Sequence, residues 1–329
     1  MATPAAPQTT TPNDLIVTSE TINAYTIPEP EPFVSFAALK DRIRHHYELA
    51  SDYYYSLWGE HIHHGYFLTP NDTKEKAQLQ LIELLLEKSG LPAGSKVLDV
   101  GCGIGGTSRY LAKEKGCSVT GITISERQVE IARKLTLEEN GTSPPVSASS
   151  NEASMHLGKG SVQFIELDAE KMGDYFPAEE RFDCVWISEA MSHLPNKELF
   201  FRNTEKLLVT GGKLVVADWF KSEGLGEKEM KDDISPIEDG MLLPPLCTQA
   251  DYVRFAEQAG LKVHAAPFDI SKQVSKTWDI SWTLIQNPAL WAFAVAQGRD
   301  GLAFMQAFRA MRRGFANGTF RYAVMAFQK

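Results

Sequence analysis

The run KVLDVGCGIGG, from Lys96 to Gly106, constrains the fold of this chain more than any other stretch. It opens with a short apolar segment, which predicts a buried strand, then breaks into glycines before a segment that predicts a helix. Glycine admits backbone conformations and close ligand approaches that a side chain would block. A strand, a glycine turn and a helix N-terminus together predict a site for a nucleotide-type cofactor, at the carboxyl end of the first strand of an α/β sheet.

The residues around the glycines discriminate between cofactors. Gly101, Gly103 and Gly106 satisfy the G-x-G-x-x-G pattern, so a nicotinamide or flavin dinucleotide is one interpretation. However, Asp99 stands two residues before the first glycine, where its charge would repel a pyrophosphate. The second predicted strand, residues 118–122, is followed by Thr123 and not by the acid that binds a dinucleotide ribose. An acid ahead of the glycines suits a ligand with an ammonium group and no phosphate, which favours S-adenosylmethionine.

Two stretches carry a family resemblance. Residues 97–105 resemble the first motif of class I S-adenosylmethionine-dependent methyltransferases. Residues 47–66, which include WGEHIHHGY, are similar to the N-terminal signature of the tocopherol methyltransferase group, to which plant alkaloid N-methyltransferases also belong. The resemblance covers roughly residues 36–329. It implies that the second stretch closes over the cofactor, with Tyr47, His63, Gly65 and Tyr66 near its methionine part.

Five of the eight histidines lie in residues 45–64. Closely spaced imidazoles can share a metal ion. No cysteine or acid cluster completes a recognisable ligand set here, so we predict no metal. Packing of the histidines in a loop and a role in the cofactor cover are the alternatives, and the resemblance favours the cover.

Two further segments are candidates for the nucleoside part of the cofactor. Ser125 is a predicted helix N-cap, and Gln128 is placed to complete a capping box. In relatives with Thr-x-Ser-x-x-Gln, counted from Thr123, the glutamine helps to hold the ribose, and both roles stay open. After the third predicted strand, residues 162–166, Asp168 and Ala169 resemble the adenine-recognition element of the family. A helix N-cap role is the alternative for Asp168.

The reacting centre is predicted after the fourth strand, residues 182–187, because ligands bind beyond the carboxyl ends of strands in open α/β sheets. The sequence there is SEAMSHLP, and its acid, histidine and proline match the group's usual form. We predict His193 as the base and Glu189 as the second choice, since either can accept a proton from an acceptor. Packing of His193 against the cofactor, with capping of the helix from Asn196, is the alternative. Ser188 is predicted to contact the cofactor.

The acceptor pocket is predicted from aromatic residues. Residues 271–315 form a predicted helical insertion with many aromatic side chains, which suits either a simple core or an apolar pocket. The predicted pocket residues are Tyr66, Trp219, Trp278 and Trp282. The last segment, residues 319–328, alternates as a strand does, and in this family's fold it inserts antiparallel beside the fifth strand.

We therefore predict a Rossmann-like α/β fold with a seven-stranded sheet, an antiparallel last strand, an N-terminal helical cover and a helical lid. The predicted divisions are a flexible tail (1–32), the cover (33–94), the cofactor-binding core (95–270 and 316–329) and the insertion (271–315). Residues 140–160 are predicted to be an exposed loop.

Composition limits the partners. A net charge of −9 argues against nucleic acid and anionic membranes. Four scattered cysteines suit reduced thiols, and neither a signal peptide nor a membrane span is recognisable, so a cytoplasmic location is expected. The expected partner is a small-molecule acceptor, and a homodimer is left open.

The predicted function is methyl transfer from S-adenosylmethionine to a small, largely apolar or aromatic acceptor of the natural-product kind, in specialised metabolism. Oxygen or nitrogen is favoured over carbon or sulfur as the methylated atom. A nicotinamide-dependent oxidoreductase and a catalytically silent cofactor-binding partner protein are the alternatives. A change in nicotinamide absorbance would identify the first, and the absence of product would identify the second.

Overall fold

An eight-stranded mixed sheet lies at the centre of the described part of the chain. The computed structural model describes residues 35–141, 153–284, 291, 294–295 and 298–329. The strands follow the spatial order β3-β4-β2-β1-β5-β6-β8-β7. Their bounds are β1 Lys96–Val100, β2 Ser118–Thr123, β3 Met155–Leu157, β4 Gly160–Glu166, β5 Phe182–Ser188, β6 Leu208–Lys221, β7 Lys262–Asp269 and β8 Phe320–Gln328.

The strand order places the predicted site. β1 pairs in parallel with β2 on one side and with β5 on the other. Strands that follow β1 in the sequence therefore lie on both sides of it in the sheet. Where the strand order reverses in this way, a crevice opens at the carboxyl ends of β1 and β5. β8 is antiparallel to both β6 and β7, between which it lies. The predicted antiparallel insertion of the last strand is thus confirmed.

The strand count differs from the predicted seven. The additional strand, β3, pairs antiparallel with β4 through three residues, inside the segment predicted as an exposed loop. Such a short edge strand lacks the length over which alternation can be recognised. β6 is also longer than the predicted strand, because it begins at Leu208, directly after the preceding helix.

Eight longer helices surround the sheet in the described residues. They are α1 Phe36–Trp58, α2 Lys74–Ser89, α3 Gly106–Lys115, α4 Glu126–Glu139, α5 Lys197–Leu207, α6 Gln249–Gln258, α7 Lys276–Leu284 and α8 Arg299–Asn317. Shorter helical turns span 169–175, 191–193, 227–240 and 271–274. The predicted N-cap is confirmed, since the hydroxyl of Ser125 accepts a hydrogen bond from the amide of Gln128. Thr73 caps α2 in the same way through the amide of Lys76.

Two hydrophobic layers hold the helices on the sheet. One contains Leu81 and Leu85 of α2 together with Met311 of α8, and the other contains Phe200 and Phe201 of α5. The predicted tail lies outside the described residues, as does part of the predicted insertion. None of the helices in the described ranges combines the length and apolar content needed to cross a membrane.

Candidate cofactor and acceptor site

The glycine loop leaves space only at its middle glycine. Gly101, Gly103 and Gly105 have φ angles of 72°, 54° and 77°, in the left-handed region that favours glycine. A Cβ atom at Gly101 would lie 2.3 Å from the Cβ atom of Ala190, so the loops after β1 and β5 touch. A Cβ atom at Gly103 would have no heavy atom of the described residues within 4 Å. Gly103 therefore faces the open side of the loop.

Asp99 lies beneath this loop with only 3% of its surface exposed. Its carboxylate accepts a hydrogen bond of 2.5 Å from the hydroxyl of Ser108, in α3. Burial raises the pKa of Asp99 to about 6, although the Ser108 hydrogen bond acts in the opposite direction. A cation placed beside the carboxylate would favour its ionised form. The ammonium group of a methionine moiety meets that requirement.

The segment after α1 lies directly on the start of α3. A Cβ atom at Gly106 would lie 2.2 Å from the carbonyl oxygen of Glu60 and 2.8 Å from Nδ1 of His61. Only glycine at this position allows so close an approach. The predicted cover segment therefore contacts the end of the glycine loop.

Two histidines of this segment have buried ring nitrogens. Nδ1 of His63 donates to the carbonyl oxygen of His64 at 2.8 Å, because a carbonyl can only accept. Burial lowers the pKa of His63, and it lowers the pKa of His61 to about 3, so both rings are neutral near pH 7. Nε2 of His63 and Nδ1 of His61 are buried without a hydrogen-bond partner in the described residues.

These observations fit S-adenosylmethionine, whose methionine ammonium is a three-proton donor. Asp99 is the residue that would hold it, and Gly103 would leave room at the open side of the loop. Gly65 has partners within the protein: its amide donates to Oγ1 of Thr277, and a Cβ atom at this position would lie 2.6 Å from the Cβ atom of Ala77 in α2. Its cofactor contact stays a prediction.

Thr123 and Gln128, which lie in the predicted ribose-binding segment, are hydrogen-bonded to each other. The hydroxyl of Thr123 donates to Oε1 of Gln128 at 2.5 Å, and both side chains are buried. The capping box predicted for Gln128 is therefore wrong in one half: its amide donates to Ser125, but its side chain turns back to β2. The hydroxyl of Ser125, which accepts from that amide, also donates to the carboxylate of Glu48 in α1. The ribose contact of Gln128 stays a prediction.

Asp168 has partners within the protein. One carboxylate oxygen accepts from the amide of Glu170, as in the helix-cap alternative, and the other accepts from Nζ of Lys40 at 2.9 Å. Lys40 also contacts the carboxylate of Glu170, and these hydrogen bonds raise its pKa although burial acts to lower it. The adenine contact of Asp168 and Ala169 stays a prediction, and the carboxylate of Asp168 keeps acceptor positions beyond the two in use.

Glu189 follows Ser188, the last residue of β5, and is held by three donors. Its Oε1 accepts from the amide of His64 at 2.7 Å and from the hydroxyl of Tyr322 at 2.8 Å. Its Oε2 lies 2.8 Å from Nδ1 of His64. Burial acts to raise the pKa of Glu189, but the interactions with His64 hold it below its usual range. The glutamate is therefore an ionised acceptor whose oxygens are already engaged.

His193 lies nearby with a looser contact. Its Nε2 is 3.4 Å from the hydroxyl of Tyr47, whose pKa burial raises to about 12. Its ring centroid is 6.3 Å from that of Trp219. Asn196 caps α5 with its own side chain, so the capping alternative for His193 does not hold. A role as base stays a prediction for His193.

The four predicted pocket residues do not all lie together. Trp219 and Trp278 lie against the ring of His64, at centroid distances of 5.8 and 5.1 Å. Trp282 lies elsewhere, under the guanidinium of Arg312 and beside a surface cavity of about 730 Å³. Tyr66 is half-buried against the main hydrophobic layer. His64 itself was not predicted, although its tandem histidine pair and proximity to Gly65 mark the segment.

The open side of Gly103 gives a direct test of the cofactor site. Gly103→Ala adds a methyl group where the loop leaves space, so we expect the affinity for S-adenosylmethionine to fall about tenfold or more. Gly90→Ala is the matched control, since Gly90 also has a left-handed φ, of 62°, and open space at its Cβ position. Both variants lose about 1 kcal/mol of unfolding free energy through backbone strain. Calorimetric titration that finds equal affinities in the two variants would contradict the placement.

Comparisons with known proteins identify relatives of this chain. The family model described as mycolic acid cyclopropane synthetase matches residues 37–154, and a methyltransferase domain model matches residues 98–216. A probable tocopherol O-methyltransferase, chloroplastic, from Oryza sativa subsp. japonica is 28% identical over 309 residues, covering 88% of this chain and 78% of the relative. A 24-methylenesterol C-methyltransferase 3 from Arabidopsis thaliana is 28% identical over 252 residues, covering 76% and 64%.

The fold has solved counterparts as well. The mycolic acid cyclopropane synthase CmaA1, solved with SAH and CTAB, has a TM-score of 0.70 at 21% identity, covering 92% of this chain and 100% of that one. At such an identity the likeness establishes the Rossmann-like fold alone. The family models and the relatives, taken with the glycine loop over Asp99, favour the methyltransferase interpretation over the nicotinamide alternative. The chain is a class I S-adenosylmethionine-dependent methyltransferase, related to the tocopherol methyltransferases.

Proposed function

We propose that this enzyme methylates an oxygen or nitrogen atom of a small, largely apolar or aromatic acceptor. The observation that carries the proposal is the aromatic enclosure around His64, formed by Trp219, Trp278, Phe315 and Tyr322 at centroid distances of 5.1 to 6.4 Å. Acceptor pockets of this kind are mostly apolar, with a few polar groups that orient the ligand.

The polar groups of the enclosure support a heteroatom acceptor. Nε2 of His64 and Nε1 of both Trp219 and Trp278 are buried without hydrogen-bond partners in the described residues. Buried polar atoms normally have partners, because an unmade hydrogen bond costs about 1–3 kcal/mol. An acceptor hydroxyl or amine would supply both a donor and a lone pair at this place.

The cofactor supplies an activated methyl group, so the protein mainly aligns the acceptor and excludes water. Two features of the chain serve this purpose. The cover segment contacts the glycine loop through Glu60 and His61, and Trp219, Trp278 and Tyr322 of the aromatic enclosure are buried. Tyr47 and His193 lie at its edge, where a proton acceptor would also be in reach.

Methylation of carbon is the second candidate. Several relatives are named as sterol-type C-methyltransferases, and aromatic faces can stabilise a cation that develops on an alkene acceptor. A panel of phenols, secondary amines and prenyl-type alkenes, with radiolabelled cofactor, separates the two. We expect methylated phenols or amines, and methylated alkenes alone would contradict the proposal.

The pocket assignment has a matched pair of tryptophans on α7. Trp278→Phe removes an indole N–H and ring volume from the enclosure, so we expect the KM for the acceptor to rise about tenfold with unchanged cofactor affinity. Trp282→Phe alters a tryptophan outside the enclosure and leaves the acceptor KM unchanged. Equal kinetic effects of the two changes would contradict the assignment.

The cytoplasmic location and the small-molecule partner belong to the same proposal. Relatives named as chloroplastic make the location an open point that cell fractionation decides. The homodimer stays untested, and sedimentation of the purified protein would measure it.

A further inference from the structure

His64 has the geometry of a histidine that is oriented by a carboxylate. The backbone amide and Nδ1 of His64 bind the two oxygens of Glu189, at 2.7 and 2.8 Å. The hydroxyl of Tyr322 donates to the same carboxylate at 2.8 Å, and burial raises the pKa of Tyr322, which keeps it a donor. Glu189, itself held by Tyr322 of β8, therefore fixes the ring of His64 in one orientation.

The backbone of Glu189 adopts an unusual conformation. Its φ angle of 55° is one of two left-handed values among the non-glycine residues of the described chain. Such a conformation is energetically unfavourable for a residue with a side chain, and it concentrates at functional sites. At Glu189 it turns the carboxylate away from the line of β5 and towards the cover segment.

The hydrogen bonds determine the tautomer of His64. An ionised carboxylate can only accept, so Nδ1 of His64 carries the proton. In the neutral ring, Nε2 then holds the free lone pair. This atom is buried and has no hydrogen-bond partner in the described residues. It lies among Trp219, Trp278 and Tyr322, in the enclosure that we assign to the acceptor.

We propose that His64 is the general base of methyl transfer and that Glu189 is its positioning residue. The inference rests on the proposed function, and it assigns the proton to Nε2 of His64 in place of His193 or Glu189. As the acceptor's oxygen or nitrogen bonds to the methyl carbon, the carbon–sulfur bond breaks and its electron pair remains on sulfur. The O–H or N–H proton of the acceptor passes to Nε2. Glu189 then stabilises the imidazolium through Nδ1–H, and the proton leaves to water after product release.

This division of roles explains why Glu189 is a poor base itself. Its two oxygens already accept three hydrogen bonds, and its pKa lies below the usual range for a glutamate. A carboxylate of that kind holds a histidine in one tautomer and does not take up the proton, which is the logic of the serine-protease aspartate.

The first test measures the tautomer in the cofactor-free protein. Nitrogen-15 NMR of labelled histidine is expected to show the Nδ1–H form for His64. In Glu189→Gln the amide oxygen keeps the two donors at its position, and the amide nitrogen then faces Nδ1, so we expect His64 to change to the Nε2–H form. An Nε2–H tautomer in the unaltered protein would overturn the proposal.

The second test uses acceptors that differ in their proton. His64→Asn retains a donor near the place of Nδ1 but removes Nε2. We expect single-turnover methylation of phenols that are protonated at the assay pH to slow about 100-fold or more. Phenols that are already ionised should react within a few-fold of the unaltered rate. Equal losses on both kinds of phenol, or no loss, would overturn the proposal.

Controls separate this role from a structural one. His156→Asn changes an exposed histidine of β3, and it should leave both kinds of phenol unaffected. Thermal unfolding and calorimetry with S-adenosylmethionine verify that His64→Asn and Glu189→Gln are folded and bind cofactor. If His193→Asn alone shows the loss that is selective for protonated phenols, His193 is the base and the proposal is wrong. If the unaltered enzyme methylates neither phenol nor amine, the proposed function is wrong. The NMR measurement of the His64 tautomer still tests, independently of activity, whether Glu189 orients His64.

Discussion

Replacing Gly106 by alanine is expected to weaken S-adenosylmethionine binding by at least about 100-fold. The new Cβ atom would lie 2.2 Å from the Glu60 carbonyl oxygen and 2.8 Å from Nδ1 of His61, so the cover segment must move away from α3. A 100-fold loss corresponds to about 2.8 kcal/mol, which lies within the usual cost of overpacking. Isothermal titration measures the affinity, and hydrogen exchange of residues 59–66 measures the displacement of the cover.

The helix itself does not explain such a loss. Gly106 is the first residue of α3 and has no left-handed φ, so alanine suits its backbone and even favours the helix. Gly116→Ala, at the other end of α3, is the matched control. Gly116 has a φ of 69° and its Cβ would make only an ordinary contact of 3.5 Å with Lys159. We expect Gly116→Ala to lower stability without changing cofactor affinity. Unchanged affinity in Gly106→Ala would mean that the cover does not belong to the cofactor site.

Local sequence signals were sufficient for the parts of the fold that short segments determine. The glycine loop after β1 was predictable because an apolar run, a turn and a helix follow one another within twenty residues. The helix starts at Thr73 and Ser125 were predictable because their hydroxyls cap amides three residues ahead. The antiparallel β8 came from the family resemblance, since alternation predicts a strand but not its neighbours.

The arrangement of the reacting centre depends on contacts between distant residues. Glu189 bonds His64 across 125 positions of the chain and Tyr322 across 133. The sequence therefore marked Glu189 as a candidate without showing what it holds. Trp278 and Trp282 illustrate the same limit: they are four residues apart on α7, yet only Trp278 lies against His64. Residues four apart share one face of a helix, so which turn of that face reaches the site depends on how the helix docks, which residue types alone do not report.

The affinity for S-adenosylmethionine is expected to rise with pH below about 6 and to be constant above it. Asp99 has a pKa of about 6 in the cofactor-free protein, because burial disfavours its charge. The ammonium group of the cofactor binds the ionised carboxylate, so each pH unit below 6 costs about a factor of ten in affinity. Asp99→Asn removes this dependence, and near pH 7 it lowers the affinity by about 100-fold. Calorimetric titrations between pH 4.5 and 8 measure both effects.

Stability follows the opposite direction in the absence of cofactor. The folded protein keeps the proton on Asp99 at pH values where the unfolded chain has lost it, so the free energy of unfolding falls as pH rises from about 4 to about 6. Two pKa units correspond to about 3 kcal/mol, and Asp99→Asn should recover up to that amount of unfolding free energy above pH 6.

Asp218→Asn is the control, because burial raises the pKa of Asp218 to about 6 as well. Asp218 lies on β6, where its carboxylate accepts hydrogen bonds from the hydroxyl of Tyr252 and the amide of Trp219. It should change the stability profile in the same way and leave the pH dependence of cofactor affinity intact. A loss of that dependence in both variants would place the titration outside the glycine loop, and Asp99 would then be a structural acid and not the partner of the ammonium group.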